Sequence, residues 1–314
     1  ENVQILKEGS TTTSAAILFD ILRKISSDSE LNFELKTENK LSLKSDNSDF
    51  TLLCLPTDNF PTFADEFEDP EISLNNKNFL KLLNKTKIAI SNDDTRHYLN
   101  GIFLHLTEAH GRNFLTGVAT DSHRLSSSSV EVEKASNFTS LILPRKTVFQ
   151  LCSLLAESNE KLSMQTSENK IKFNLGNIKL ISKVIDGKFP DYKKVVPTDN
   201  SKCLIVPSKD FINSIERVAS VSLDRKEGVK LTIKKENIQL SVNSVSSGEG
   251  NEIIKANFNS DNLNISFNSK YLIDIVSEVE DSNLKMNLKD SVSPVLIEDT
   301  SDKNSYYVIM PMKI

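Results

Sequence analysis

The sequence contains no tryptophan, three cysteines and nine glycines, and no apolar run approaches the roughly 20 residues that cross a bilayer. Each scarcity closes off a class of function. Without such a run a membrane protein is not expected, and Glu1 to Gly9 show neither the basic leader nor the apolar core of a secretory signal, so the expected location is the cytoplasm. Cys54, Cys152 and Cys203 are odd in number, far apart and set in apolar runs, which reads as buried thiols in a reducing compartment rather than a disulfide framework. His97, His105, His110 and His123 have no cysteine or acidic partner at zinc-ligand spacing, so neither a metal nor another cofactor is expected. Glycine is too sparse for a phosphate-cradling loop, and no nucleophile elbow or HExxH pattern is present.

What is present is a balanced chain of 314 residues, 38% hydrophobic and 26% charged, with a formal net charge of −5. Its length exceeds a single core and suits two or three domains of roughly 100 to 150 residues. A negative balance by itself disfavours a polyanionic partner, because binding one relies on lysine and arginine displacing counterions. The placement of the charges therefore matters more than their sum.

Internal repetition organises the chain. Ile17, Leu18, Ile21, Leu22 and Ile25 fall at helical spacing within Thr13 to Ile25, and Leu31, Phe33 and Leu35 then alternate as in a strand. The turn ENK (Glu38 to Lys40), the run FTLLCLP (Phe50 to Pro56) and NFPTF (Asn59 to Phe63) follow. The unit recurs from Pro144 through Val148, Leu151, Cys152 and Leu155 to a second ENK (Glu168 to Lys170) and KFPDY (Lys188 to Tyr192). A third, weaker copy has Tyr271, Leu272, Ile275, Val276 and Val279 as its helix, Leu284, Met286 and Leu288 as a strand, and YVIMPMKI (Tyr307 to Ile314) as its end. A partner unit occurs twice: NNKNFLKLL (Asn75 to Leu83) matches PSKDFINSI (Pro207 to Ile215), and NGIFLHL (Asn100 to Leu106) matches EGVKLTI (Glu227 to Ile233).

The expected class is therefore α+β, built of repeated half-domains that each combine a helix with antiparallel strands. Acidic or proline-bearing links, FADEFEDPE (Phe63 to Glu71) and VVPTDNSK (Val195 to Lys202), divide the chain into domains 1–68, 69–198 and 199–314. Pairing calls for an even number of units, so the opening unit is expected to lack its partner, with about 50 to 60 further residues preceding Glu1 in the natural protein.

Lys77, Lys81 and Lys85 step by four along a stretch with no acid, opposite Phe79, Leu80, Leu82 and Leu83. A basic face backed by an apolar one suits non-specific phosphate contact, because flexible point charges follow a backbone without reading bases. An ordinary solvated helix face is the bland alternative. Arg145, Lys146, Lys209 and Arg217 lie on the other repeat helices, and helices turned inward in a ring would sum to a positive channel within a negative exterior.

Five ordered motifs, YLNGIFL (Tyr98 to Leu104), ATDSHRL (Ala119 to Leu125), LPRKTV (Leu143 to Val148), DGKFPDYKKVVP (Asp186 to Pro197) and the terminal YVIMPMKI, resemble the bacterial DNA sliding clamp, the β subunit of DNA polymerase III. The resemblance implies a three-domain protomer, incomplete here in its first domain, that dimerises head to tail with helices lining a central hole. It implies a processivity factor around double-stranded DNA, without catalysis. It also implies a groove for short apolar motifs of the DNA polymerase III catalytic subunit, the clamp loader, repair polymerases and other replication proteins. Matching groove positions are Leu99, Thr120, Ser122, His123, Arg124 and Leu125, then Pro190, Lys194 and Val195 along the connecting segment. Tyr271, Val292, Pro294, Val308, Ile309, Met310, Pro311 and Met312 complete it. Arg96 and His97 match a DNA-touching loop, and Phe50 and Leu52 are implicated in ring closure with Ser220 and Val221 of the neighbouring protomer, with ordinary strand burial the equal alternative for Leu52. The chain departs from the family pattern at Ser122, usually glycine, at Lys194 and Lys313, usually arginine, and at His97, usually tyrosine.

Two other classes compete. The many Asn, Ser and Thr residues suit a β-rich adhesion repeat, which requires an export signal. Asp121 and His123 would serve as acid and base in a hydrolase, although no nucleophile context accompanies them.

Overall fold

The computed structural model describes residues 3–37, 39–61, 67, 69–133, 138–222 and 228–313. The chain divides into two compact units, residues 1–66 and 67–314, each with its own apolar core. Glu38 of the first ENK turn, residues 62–66 and 68 of the acidic link, Glu227 and Ile314 lie outside the described residues.

The first unit contains strand β1 (Thr12–Thr13), helix α1 (Ala15–Leu22) and strands β2 (Asn32–Thr37), β3 (Lys40–Ser45) and β4 (Ser48–Leu55). The sheet order is β1-β4-β3-β2. Ser14 caps α1 by accepting the Ile17 N–H, as expected of a serine at a helix start. Strand alternation turns Leu52 and Cys54 inward under Leu18 and Ile21 and leaves Leu53 and Leu55 exposed. The helix is shorter at both ends than its apolar periodicity suggests, and none of its residues is fully buried.

The second unit opens with β5 (Ile72–Leu74), α2 (Asn76–Lys87), β6 (Gly101–Ala109), β7 (Arg112–Thr120) and β8 (Arg124–Val132). It continues with β9 (Leu141–Pro144), α3 (Arg145–Ala156), β10 (Leu162–Thr166), β11 (Lys170–Leu175) and β12 (Ile178–Lys183). Beyond the link come β13 (Lys202–Pro207), α4 (Ser208–Ala219), β14 (Gly228–Ile233), β15 (Asn237–Ser244), β16 (Gly248–Lys255) and β17 (Asn257–Phe258). The chain ends with β18 (Leu263–Asn268), α5 (Ser269–Val276), β19 (Asn283–Leu288), β20 (Val295–Asp299) and β21 (Ser305–Ile309).

Two four-stranded sheets, β12-β11-β10-β5 and β16-β15-β14-β18, accompany a nine-stranded one, β17-β13-β19-β20-β21-β8-β7-β6-β9. The long sheet is continuous because β21, the last strand, pairs antiparallel with β8, from Ser305 opposite Ser128 to Ile309 opposite Arg124. Small side chains make that junction compact: Ser126, Ser127 and Ser128 are all buried, and Ser305 Oγ donates to Ser128 Oγ at 2.9 Å.

Helices pair in the same way in both halves of this unit, α2 beside α3 and α4 beside α5. Asn75 caps α2 by accepting the Asn78 N–H at 3.0 Å. Phe79, Leu82, Leu83 and Thr86 then fall at helical spacing on its buried face, meeting Val148, Leu151 and Leu155 of α3 in one core. Phe211, Ile215 and Val218 of α4 and Leu272, Ile275 and Val276 of α5 form the second core with the strands beneath them.

Candidate partner groove and basic helix faces

The groove positions converge where β8 meets β21. Leu99, Leu125 and Val308 are buried with Val118, Ile142, Phe189 and Tyr192 in a separate apolar cluster, and each such side chain contributes about 2 kcal/mol when withdrawn from water. Its rim is a tight turn at Thr120–Arg124. Thr120 Oγ1 donates to the Arg124 carbonyl at 2.7 Å, and Asp121 Oδ1 accepts the His123 and Arg124 N–H groups at 2.9 and 3.0 Å. Asp121 also takes the Arg124 Nε–H at 3.1 Å, so its carboxylate is occupied by the turn it shapes rather than poised beside His123 as a base.

Arg124 joins the two sides. Its guanidinium donates to Asp274 at 2.7 Å and lies 4.2 Å from the Tyr271 ring centre, while His123 stacks on the same tyrosine at 6.1 Å. Arg124 is buried, and a charge withdrawn from water needs partners of this quality to be tolerated. Lys270 reinforces Asp274 from one turn away on α5.

Beyond β21 the chain is held in place. The Met310 N–H donates to the His123 carbonyl at 2.9 Å and the Met312 N–H to the Ser266 carbonyl at 2.8 Å, which carries Pro311 across the rim. Met310, Val195 and Val292 leave large apolar surfaces open to solvent. Pro190, Lys194 and Val195 lie on the link, which Phe189 and Tyr192 anchor. Phe189 stacks on Phe103 at 4.9 Å and the Tyr192 hydroxyl meets His105 Nε2 at 3.1 Å. Lys194 is exposed and, among the described residues, pairs with nearby Asp191, while the Pro294 carbonyl accepts from Asn200. Ile309 is a correction: along β21 alternate residues face opposite ways, so Val308 joins the groove cluster while Ile309 and Tyr307 are sealed in the core beneath α5.

The basic residues divide sharply. Lys77, Lys146 and Lys209 are exposed and have no hydrogen bond or ion pair among the described residues. Arg145 lies over the exposed Phe149 ring at 5.3 Å, with Lys87 near the same ring at 5.9 Å. Lys85 departs from the expected solvent face. It is 2% exposed and meets Asp302 at 3.1 Å, Asp299 at 3.2 Å and Glu280 at 3.5 Å. Steps of four residues drift around a helix by about 40° each, so the third lysine turns about 80° from the first and into the packing beneath. Lys81 is half-exposed and also committed, to Glu280 at 2.9 Å and Asp302 at 3.2 Å. Burial disfavours its charge, but those carboxylates prevail and raise its pKa above the usual lysine value. Arg217 is held by both oxygens of Glu252, so its charge is neutralised within the chain.

Arg96 donates from Nε to Asp93 at 2.9 Å and from Nη1 to Ser122 at 2.6 Å. His97 reaches the Asp186 carbonyl at 3.1 Å. Of the ring-closure positions, Phe50 lines an open cavity of about 530 Å³ with Ile17, Ile21 and Asp46, Ser220 is exposed, and Val221 packs against the core beneath α4. Leu52 turns inward and packs in the core under α1, in line with its alternative reading as ordinary strand burial.

Comparison with known proteins decides the family. Residues 1–64, 73–191 and 193–313 match, in order, the N-terminal, central and C-terminal domains of the DNA polymerase III beta subunit. The chain belongs to the bacterial sliding clamp family. The beta sliding clamp of Caulobacter vibrioides is 32% identical over 313 residues, covering 99% of this chain and 84% of that one. The Escherichia coli K12 clamp is 32% identical over 312 residues, with the same coverage. Among solved structures, the C. crescentus clamp, with polyethylene glycol at its proposed beta-motif tethering region, superposes with a TM-score of 0.96 at 32% identity, covering 99% of this chain and 83% of that one. The Bartonella birtlesii clamp bound to griselimycin superposes at 0.95 with 37% identity, covering 100% and 84%. The architecture is thus the three-domain sliding clamp fold, a mixture of helices and antiparallel sheets, and the function is that of a replication processivity factor.

The acids that complete the clamp's tertiary ties were not legible as site residues. Asp299 and Asp302 are more than 200 residues from Lys85, and Asp274 is 150 residues from Arg124. Only the Lys270–Asp274 spacing of four within one helix offered a local signal.

Proposed function

We propose that the chain works as a non-catalytic clamp in the cytoplasm, in domains 1–68, 69–198 and 199–314, that encircles double-stranded DNA as a head-to-tail homodimer. The exposed cations Lys77, Lys146 and Lys209, with half-buried Arg145 beside them, follow the phosphate backbone without regard to sequence. Phe50, Ser220 and Val221 contribute to ring closure. The groove takes short apolar segments of the DNA polymerase III catalytic subunit, the clamp loader, repair polymerases and other replication proteins, one at a time.

The observation that carries this reading is the junction of β8 and β21, where an apolar floor of Leu99, Leu125 and Val308 lies beside a rim of His123, Arg124 and Tyr271 and the adaptable thioether of Met310. An apolar floor with few fixed polar groups suits several related ligands, and methionine repacks readily around each. Griselimycin, which a relative binds, is a suitable probe. Titration calorimetry with the full-length protein should show binding that Met310→Ala weakens about tenfold, as removal of a thioether buried against the ligand would. Absence of binding, or equal affinity for both proteins, overturns the groove assignment.

A further inference from the structure

We infer that Ser122 is a positioning residue whose hydroxyl ties the turn Asp94–Leu99 to the groove rim, so that anions meeting Arg96 and ligands entering the groove influence one another. The inference rests on the groove reading above and adds a coupling to it.

Ser122 occupies a backbone conformation that a serine seldom adopts. Its φ is +77°, in the left-handed region where a side chain crowds the following carbonyl and glycine alone is unstrained. Local bonds enforce the conformation: the Ser122 N–H donates to Thr120 Oγ1 at 3.1 Å, and Asp121 gathers the next two N–H groups. Strain of this kind persists where the surroundings over-determine it. Here it aims the serine hydroxyl at Arg96, whose Nη1 donates to it at 2.6 Å.

Arg96 is held from its other edge as well, by Asp93 at 2.9 Å. Two fixed points orient the planar guanidinium and leave its remaining N–H donors unclaimed by these bonds. The residue also interrupts its own turn, with φ −115° and ψ 58° inside an otherwise 3₁₀ segment. That segment is tied at three places. Arg96 is bonded to the rim through Ser122, His97 to the link through the Asp186 carbonyl, and Leu99 is buried in the groove floor. An anion that draws Arg96 away from Ser122 therefore acts on the residue between Asp121 and His123 and on the turn that carries Leu99. A ligand seated on His123 and Leu99 acts back on Arg96, because such coupling is reciprocal.

Griselimycin titrations of the full-length protein separate the possibilities. Ser122→Gly removes the hydroxyl and relieves the left-handed strain, so its melting temperature should hold or rise. Its griselimycin affinity should nevertheless fall about fivefold, the size of the typical net contribution of one hydrogen bond. Arg96→Ala should cause a similar loss, and the double variant should be no weaker than either single one, since both remove the same bond. Ser122→Asn should bind within about twofold of the wild type, because asparagine tolerates the left-handed region and its carbonyl oxygen can accept from Arg96. Additive losses, or unchanged affinity in Ser122→Gly, overturn the coupling. If those results coincide with the Met310→Ala loss, the groove reading stands and only the tether fails; if Met310→Ala is also silent, the groove reading fails with it.

Discussion

Helices α2 and α3 lie side by side and both carry clustered cations, yet they use them differently. On α2, Lys81 and Lys85 turn toward Glu280, Asp299 and Asp302 and bind two parts of the second unit to each other. At the start of α3, Lys146 has no partner among the described residues and Arg145 rests on an exposed ring. A basic helix is thus a poor predictor of a phosphate-binding face by itself. What separates the two is whether carboxylates elsewhere in the fold reach the same ammonium groups, and that depends on residues as distant as Asp299, 214 positions from Lys85.

The sharpest way to break this contrast is Lys85→Met. Removing one member of a buried ion cluster leaves Asp299 without a cation and Asp302 with Lys81 alone, a loss that typically costs about 3 to 5 kcal/mol. Urea unfolding followed by circular dichroism should show a loss of that size in the second unit, and a loss below about 1 kcal/mol would mean that the cluster does not hold α2 in place.

Reversing the charges of α3 tests the other side. Arg145→Glu with Lys146→Glu should leave stability nearly unchanged but reduce retention on DNA, with the logarithmic salt slope shallower by about 0.9 for each phosphate no longer neutralised. Lys81→Ala, by contrast, should leave retention within about twofold, because that ammonium already has two carboxylate partners. Equal losses from the two variants would erase the distinction between the helices.

Acid offers a subtler probe. Burial opposes the Asp299 charge, but the Glu280 N–H, Ser301 and Lys85 outweigh it and take its pKa from 3.8 to about 2. A carboxylate depressed on folding stabilises the fold above its unfolded pKa, and that contribution disappears as the pH falls through the folded value. The unfolding free energy should therefore decline as the pH falls from 3.8 toward 2, with a flatter decline in Lys85→Met. Identical pH profiles for the two proteins would detach Asp299 from Lys85. The smallest expected effect is Phe149→Ala, which removes the ring under Arg145 and Lys87 and should cost about 0.5 to 1 kcal/mol, as exposed cation–π pairs do; a larger loss would show the ring to be structural.

Much of the fold was legible because repetition and periodicity are local. The helix positions Ile17 and Leu18, Val148 and Leu151, Phe211 and Ile215, and Leu272 and Ile275 all fall on the helices anticipated for them. The groove was legible only through resemblance, since no spacing announces that β21 will pair with β8 across 177 residues between Ser128 and Ser305. Lys85 and Leu52 turn inward for a common reason. Each sits on a correctly recognised element, but a small rotation on a helix or one step of register in a strand decides between surface and interior, and tertiary packing sets both. Arg217 on α4 illustrates a third limit, because Glu252 reaches it from strand β16, 35 residues away.

The central claim is topological: the protein stays on DNA because it surrounds it, with groove and cations serving that arrangement. The most direct test loads the full-length protein onto nicked circular duplex, washes it at high salt and then cuts the circle once. Retention on the circle followed by prompt release on cutting is the expected result. Equal rates of loss from intact circle and cut duplex would contradict encirclement, whatever the affinity.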